Sequence, residues 1–498
     1  MVPFAQILSR LMDEKNITVN ELARYTSIDR SSVYKIVNGT RKPSGRKMVE
    51  QIADQMTLAD RERDDLIDSY YLSVLGERNY YGWKQITEMF NRIAQDKKLK
   101  NFPFRAVSEQ QHKETTVLNN HEDIINAVLS ICALEGQKKD GEIRIFTSYY
   151  KALSINIIHR ICGTYPDTKI VHVIALDDSR KPDADHRLYN IDCLCSILPL
   201  VVRHSNYRLR KLYLSIHALD NINMLLSEMV ITDEYICIFA SQLRHGFLIR
   251  NREVRMVYQD IFRTLYSMSS LFAARFLPGD MFDFFQASQK KNIRPNSFGK
   301  VPAEYVFSPG ICTVQLLDEK ETFARDHLKL PEPDREIFIK KFHQYLGQRS
   351  QFLPDRENSR QEISTKQGVE YFVNTGCINE ISPEITEPLS LGERLDILHR
   401  WEKCYWQGGF YMIDFPSLRW DSQVCMISGI HHTLLQFSGT DGSFIFIEIL
   451  EPEIVSFFHW YCEFLLREFQ MGETEVLDFF RKCEGDLRAR IDAAENDF

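Results

Sequence analysis

The sequence predicts a multidomain α+β protein: a small all-α head, a helical linker and a larger α/β body. Three observations carry that expectation. At 498 residues the chain exceeds what one hydrophobic core ordinarily organises. Its first 57 residues place apolar side chains only at helical spacing, whereas from Glu142 onward short β-rich runs alternate with helical ones. The charge is also divided. Residues 1–50 hold nine basic and five acidic groups, a net charge of +4, while the whole chain carries −8, which leaves −12 for the rest.

The composition, 44% hydrophobic and 26% charged, is that of an average folded protein, so disorder is not expected. A pI near 6.0 argues against attraction of the whole molecule to nucleic acid, and the basic head is the end suited to phosphate. No apolar run is long enough to span a bilayer, and the N-terminus lacks the order of a signal peptide. We therefore expect a cytoplasmic protein without a membrane partner. The 11 cysteines fit a reducing compartment, since several lie inside apolar runs such as Ile236-Cys237-Ile238.

In the head, Phe4, Ile7, Leu8 and Leu11 recur at three- and four-residue steps and make one face of a first helix. Thr18 with Glu21 forms a capping box that opens a second helix, about Val19 to Tyr25. Thr26-Ser27-Ile28 is a short turn, and Asp29 caps a third helix, about Arg30 to Val37, with Val33, Ile36 and Val37 inward. Asn38-Gly39 ends it, and Pro43-Ser44 is expected to start a fourth helix that buries Met48, Val49, Ile52 and Ala53.

Two short helices joined by a tight turn, the second with a polar N-terminal half, make a helix-turn-helix. A helix fits the major groove of B-DNA, and the exposed positions Arg30, Ser31, Ser32, Tyr34 and Lys35 carry groups able to bond base edges. Asn38, Arg41, Lys42 and Arg46 follow where phosphate contacts would hold register.

Residues 2–56, above all "LSRLMDEKNITVNELARYTSIDRSSVYKIVNGTRKPS", resemble the Cro/phage-repressor (XRE-type) helix-turn-helix domain. The resemblance implies base contacts from Arg30, Ser31 and Lys35. It implies phosphate contacts from Arg10, Asn38, Arg41 and Lys42. Two positions depart from the family pattern: Ser27 stands where the turn usually has Gly, and Val19 stands where Gln often binds the backbone. The alternative is a protein-interaction module of the same fold, in a stress or defence role.

Beyond the head, Thr57 to Leu75 reads as a helix stopped by Gly76, and Tyr80 to Gln95 as another carrying Trp83, Ile86, Phe90 and Ile93 on one face. This linker is a candidate dimer contact. The body then gives strand, helix and strand in "EIRIFTS", "YYKALSINIIHRICG" and "KIVHVIAL". It continues through "HRLYNIDCLCSILPLVV", a helix that Pro199 should end or kink, to a hairpin in "EMVITDEYICIFAS". Segments Met229–Tyr266 and Met426–Leu465 share three strands followed by a helix that opens on Glu253 or Glu453, which suggests a duplicated meander-plus-helix unit. The domains expected are 1–57 (head), 58–115 (linker), 116–277 (first body unit), 278–357 (a connecting region rich in Pro, Gly and charge) and 358–498 (second body unit).

The chemistry-bearing motifs are few. No Walker loop, G-x-G-x-x-G, G-x-S-x-G or H-E-x-x-H occurs. His327-x-Lys329-x4-Asp334 matches the H-x-K-x4-D signature of phospholipase D-type phosphodiesterases, in which histidine is nucleophile and acid/base and two copies meet. Here one copy lies between helical segments and is broken by two prolines, so we read it as coincidence. Cys193 and Cys195, near His186 and His204, lack zinc-ligand spacing. His431 and His432 read as strand neighbours on opposite faces. Asp177, Asp178, Asp183 and Asp185 read as a solvated loop.

The expectation is a transcriptional regulator that is not an enzyme and takes no cofactor or metal. Its partners would be double-stranded DNA, a second copy of itself, and a small-molecule, peptide or protein effector sensed by the body. The rival expectation is a phosphodiesterase targeted by the head.

Overall fold

The computed structural model describes residues 4–26, 28–95, 114–148, 153, 155–178, 188–214, 228–240, 242–276, 304–310, 326–341, 360–378, 383, 385–418, 424–438 and 443–496. The chain divides into two units, Met1–Thr87 and Glu88–Phe498.

The first unit contains α1 (Phe4–Glu14), α2 (Val19–Thr26), α3 (Arg30–Val37), α4 (Arg46–Gln55) and most of α5 (Asp60–Gln95). Local sequence explains the ends. The Thr18 amide donates to the Glu21 carboxylate (2.8 Å) and the Glu21 amide to Thr18 Oγ1 (3.3 Å), which is the capping box expected. The Ser32 amide donates to Asp29 Oδ1 (2.9 Å) at the start of α3, and Gly39, at φ 70°, turns the chain away after it. The fourth helix begins at Arg46, after Gly45, with no side-chain cap, so it starts later than Pro43-Ser44 suggested. Leu8, Leu22, Val33, Ile36, Val49 and Ile52 fill the core.

This unit extends 30 residues past the expected limit at residue 57. Tyr70 is the reason: it is buried, and its ring meets Phe4 edge-on at 6.2 Å, while Tyr71 packs on Trp83 at 4.9 Å. Residues 60–95 form one helical run broken at Gly76, whose φ of 75° and ψ of 164° only glycine adopts without strain. The linker's apolar stripe (Leu66, Tyr70, Tyr71, Tyr80, Trp83, Ile86) is thus buried.

The second unit holds two mixed sheets. The first has the order β1-β7-β6-β5-β2-β3-β4-β8, from strands Thr115–Leu118 (β1), Glu142–Thr147 (β2), Lys169–Asp177 (β3), Tyr207–Leu214 (β4), Glu228–Ile231 (β5), Ile236–Phe239 (β6), Gly246–Ile249 (β7) and Ser270–Leu271 (β8). The second has the order β12-β11-β10-β13-β14-β15-β9. Its strands are Ala274–Phe276 (β9), Glu304–Phe307 (β10), Arg360–Thr365 (β11), Phe410–Ile413 (β12), Val424–Ser428 (β13), Thr433–Ser438 (β14) and Phe444–Ile449 (β15).

The two sheets repeat one topology. In each, three parallel strands (β2, β3, β4; β10, β11, β12) continue into an antiparallel meander (β5, β6, β7; β13, β14, β15). An early strand (β1; β9) closes the far edge antiparallel to the last meander strand, and a helix follows. The repeat is therefore larger than the meander-plus-helix read from the sequence. The same pairing corrects the expected limits, because β9 and β10, placed in the first unit and the connecting region, are strands of the second sheet.

Helices cover the faces: α6 (His121–Gly136), α7 (Ile155–Thr164), α8 (Tyr189–Arg203) and α9 (Arg252–Met268) in the first half. In the second half they are α10 (Lys366–Thr375), α11 (Leu391–Gln407), α12 (Pro452–Phe469) and α13 (Glu473–Asn496). Pro199 lies inside α8 without ending it, because that helix is held by burial of Ile191, Leu194, Ile197, Leu198 and Leu200. Where the halves meet, Lys211 and Glu451 form an ion pair at 2.9 Å, each only 11% exposed. The cavity beside it is about 10 Å³, at most one water, so the two sheets are in contact there.

Gly368, in the first turn of α10, marks the tightest backbone approach. A Cβ there would lie 1.8 Å from the Pro309 carbonyl oxygen, which already accepts from the Thr365 amide (3.0 Å) and Thr365 Oγ1 (2.7 Å). Gly368→Ala is expected to destabilise the body by about 1–3 kcal/mol, seen as a lower urea midpoint at unchanged m-value.

Candidate nucleic-acid interface

The α3 helix sets the geometry. Its apolar side chains Val33 and Ile36 are buried against the head, and successive residues turn by about 100°. Arg30, Tyr34, Asn38, Ser31 and Lys35 therefore fall, in that angular order, on one outward arc of about 140°. All five are exposed, Tyr34 by 60%. Ser32 is different: it sits at the margin of the buried side and is half-buried.

The Ser32 hydroxyl accepts from an Arg41 guanidinium nitrogen at 3.0 Å. Arg41, expected on a phosphate, thus lies along the N-terminal turn of the recognition helix. Its charge also acts on Asp29, whose carboxyl is held below the usual range mainly by hydrogen bonds from Ser32, with a smaller contribution from Arg41. The remaining expected phosphate ligands spread around the head. Arg10 and Asn38 line one open groove between α1 and the end of α3, and Arg10 stands 3.7 Å from Glu14. Lys42 Nζ donates to the Ser73 carbonyl at 2.5 Å, and Arg46 Nε to Glu50 at 2.8 Å.

One feature was not evident in the sequence. Arg24 lies 5.1 Å over the ring of Tyr25, which is 44% exposed at the end of α2. The adjacent Arg-Tyr pair was its only signal. Ser27, where the family usually has Gly, lies outside the described residues.

Among the described residues the other candidate groups do not assemble into a site. His327 Nε2 bonds Glu393 Oε1 at 2.8 Å, and Glu393 is itself engaged in a capping box with Ser390 at the start of α11. Lys329 faces Glu387 at 3.3 Å, and Asp334 lies on a helix over 332–341. His327 and Lys329 thus each have a local carboxylate partner. His431 and His432 are not on a strand as expected but in the turn between β13 and β14, closed by the Gly429 amide on the His432 carbonyl (2.9 Å). Asp177 is the buried last residue of β3 and not part of a solvated loop, because the strand runs one residue further than its apolar run; Asp183, Asp185 and His186 lie outside the described residues. Cys193 and Cys195 are buried in α8, and burial pushes both thiols far above their usual range. Among the described residues no three His, Cys, Asp or Glu side chains cluster as metal ligands, and no helix is long and apolar enough to cross a membrane.

Residues 8–54 match the family of Cro/C1-type HTH DNA-binding domains. No curated protein matches the chain. Solved structures similar to it include the archaeal chromatin protein TrmBL2, at 12% identity over 51% of this chain and 88% of that one, with a TM-score of 0.21. Polyphosphate kinase from Porphyromonas gingivalis is 10% identical over 75% of this chain and 56% of its own, with a TM-score of 0.21. Phosphatidylserine synthase from Haemophilus influenzae Rd KW20 is 11% identical over 82% and 98%, with a TM-score of 0.23. Likenesses this distant carry no argument about the body.

Proposed function

We propose that this chain, whose residues 8–54 form a Cro/C1-type helix-turn-helix DNA-binding domain, is a sequence-specific transcriptional regulator. The observation that carries the reading is the outward arc of α3, where Arg30, Tyr34 and Lys35 stand exposed on a helix whose opposite side is locked into the head. Arg30 and Lys35 are suited to guanine O6 and N7, and Ser31 to several bases. Arg10, Asn38, Lys42 and Arg46 supply sequence-independent attraction to phosphate. In this reading Lys42 exchanges its bond to Ser73 for a phosphate oxygen.

The body, acidic where the head is basic, acts as the effector-binding and dimer-forming part in the cytoplasm, and it performs no catalysis. Two heads would then dock in successive major grooves about 34 Å apart. Selection of duplexes from a random pool by the full-length protein tests the proposal. A recurring two-fold symmetric site is expected, bound with an affinity that falls steeply between about 50 and 200 mM salt as counterions are released. Failure to enrich any sequence, or binding indifferent to salt, overturns it.

A further inference from the structure

The recognition helix begins on a negative charge. Asp29, the N-cap of α3, is exposed and precedes Arg30 at the end of the helix that meets base edges in a major groove. It is the only acidic residue between Glu21 and Glu50, a stretch that holds seven basic ones. Bringing a carboxylate against DNA is unfavourable, because the phosphates repel it. The cap does not require that charge, since serine or asparagine closes a helix as well as aspartate does. Two features of the head nevertheless keep Asp29 a fixed carboxylate. The Ser32 amide donates to its Oδ1 at 2.9 Å, which holds the side chain over the first turn. Hydrogen bonds from Ser32, and after them the charge of Arg41, keep its carboxyl below the usual range. Arg41 is in turn anchored at 3.0 Å on Ser32 Oγ, so a cation stands beside the one acid of this stretch.

We propose that Asp29 reads a cytosine, in a C·G pair within one step of the pair that Arg30 reads, and that Arg41 offsets its charge toward the phosphates. An ionised carboxylate only accepts, and its two oxygens offer about four acceptor positions, more than the cap uses. In the major groove cytosine presents the N4 amino donor. Guanine presents N7 and O6 and thymine O4, all acceptors that repel a carboxylate. Adenine sets its N7 acceptor beside the N6 amino group, which makes it the poorer donor to an acceptor-only side chain. Asp29 therefore determines specificity through what it excludes as much as through what it bonds. Arg41 acts through Asp29, so that the carboxylate selects a base without weakening attraction to the duplex as a whole. The inference rests on the DNA-binding reading and adds to it a base, an acidic reader and a second role for Arg41.

Selection from a random duplex pool by the full-length wild type and its variants tests the proposal. The wild-type site is expected to hold a C·G pair at or next to the pair whose preference Arg30→Ala relaxes, favoured about tenfold over other pairs. Asp29→Asn keeps the cap, so the thermal midpoint is unchanged, and it moves the preference at that pair to adenine, whose N6 and N7 asparagine bonds together. Asp29→Ser also keeps the cap and relaxes the preference there. Arg41→Ala weakens binding to every duplex, by a factor about threefold smaller when Asp29→Asn is already present. A cytosine preference that survives in both Asp29 variants overturns the proposal and leaves Asp29 a helix cap alone, and so does a wild-type site without cytosine at that pair. An equal effect of Arg41→Ala in the two backgrounds overturns the role given to Arg41 and makes it an independent phosphate ligand. A wild type that enriches no site at all overturns the DNA-binding reading itself, so the two failures are told apart.

Discussion

Replacing Arg30 with alanine is expected to weaken binding to the selected duplex by about 1–3 kcal/mol, roughly tenfold to a hundredfold, and to relax preference at one base pair per half-site. Arg30 is the exposed first residue of α3, and the capping hydrogen bond from the Ser32 amide to Asp29 closes the same turn. The alanine keeps the cap and the buried residues Val33 and Ile36, so the helix itself is unaffected. The salt dependence separates two roles for this side chain. If Arg30 bonds a base edge, its removal leaves the slope of log K against log salt nearly unchanged and alters the sequence preference. If Arg30 instead neutralises a phosphate, its removal reduces the slope by about one and weakens all sequences alike. Titration of the wild type and the variant against the selected duplex and a set of single-base variants decides. Unchanged affinity and unchanged preference would remove α3 as the recognition helix.

Local chemistry explains which parts of the fold were legible. The head could be read almost to the residue because its ends are set by neighbours: Thr18 with Glu21, Asp29 with Ser32, and the left-handed Gly39. The helix break at Gly76 has the same origin. Partners distant in sequence were hidden. Lys42 bonds a carbonyl 31 positions away, and nothing near Lys42 indicates Ser73. Nothing near Arg41 in the sequence indicates that the loop folds it back onto Ser32. In the body, alternating strands and helices were visible, whereas sheet membership was not. A four-residue run such as Glu304–Phe307 gives no sign that it pairs with Arg360–Ile363 on one side and Met426–Ser428 on the other. That β10 is central to the second sheet follows from non-local hydrogen bonds alone.

Acidification is expected to destabilise the body through His172, and the expected sign follows from its surroundings. This side chain is 2% exposed on the central strand β3. Its Nε2 lies 2.8 Å from Thr147 Oγ1 and its Nδ1 2.7 Å from the Tyr207 hydroxyl. Both partners are neutral hydroxyls, so nothing in contact with the ring compensates a positive charge, and burial lowers the pKa to about 3. In the unfolded chain the imidazole titrates near about 6.5. Because the folded pKa is the lower one, the contribution is fully present above pH 6.5 and is lost as the pH falls towards 3, where only the unfolded chain gains the proton. At about 1.4 kcal/mol per pH unit, His172 alone removes about 2 kcal/mol by pH 5. His204, lowered to about 3 by burial and then by His159, Arg203 and Arg275, acts in the same direction. Carboxylates also titrate over this range, so the variant His172→Gln isolates the imidazole. It keeps an amide able to bond both hydroxyls and removes the titration. Urea unfolding at pH 7.5, 6 and 5 should show the variant losing about 2 kcal/mol less than the wild type over the interval. Equal losses in the two proteins would mean that the ring takes up its proton in the folded state, which the neutral Thr147–His172–Tyr207 chain inside the first sheet does not allow.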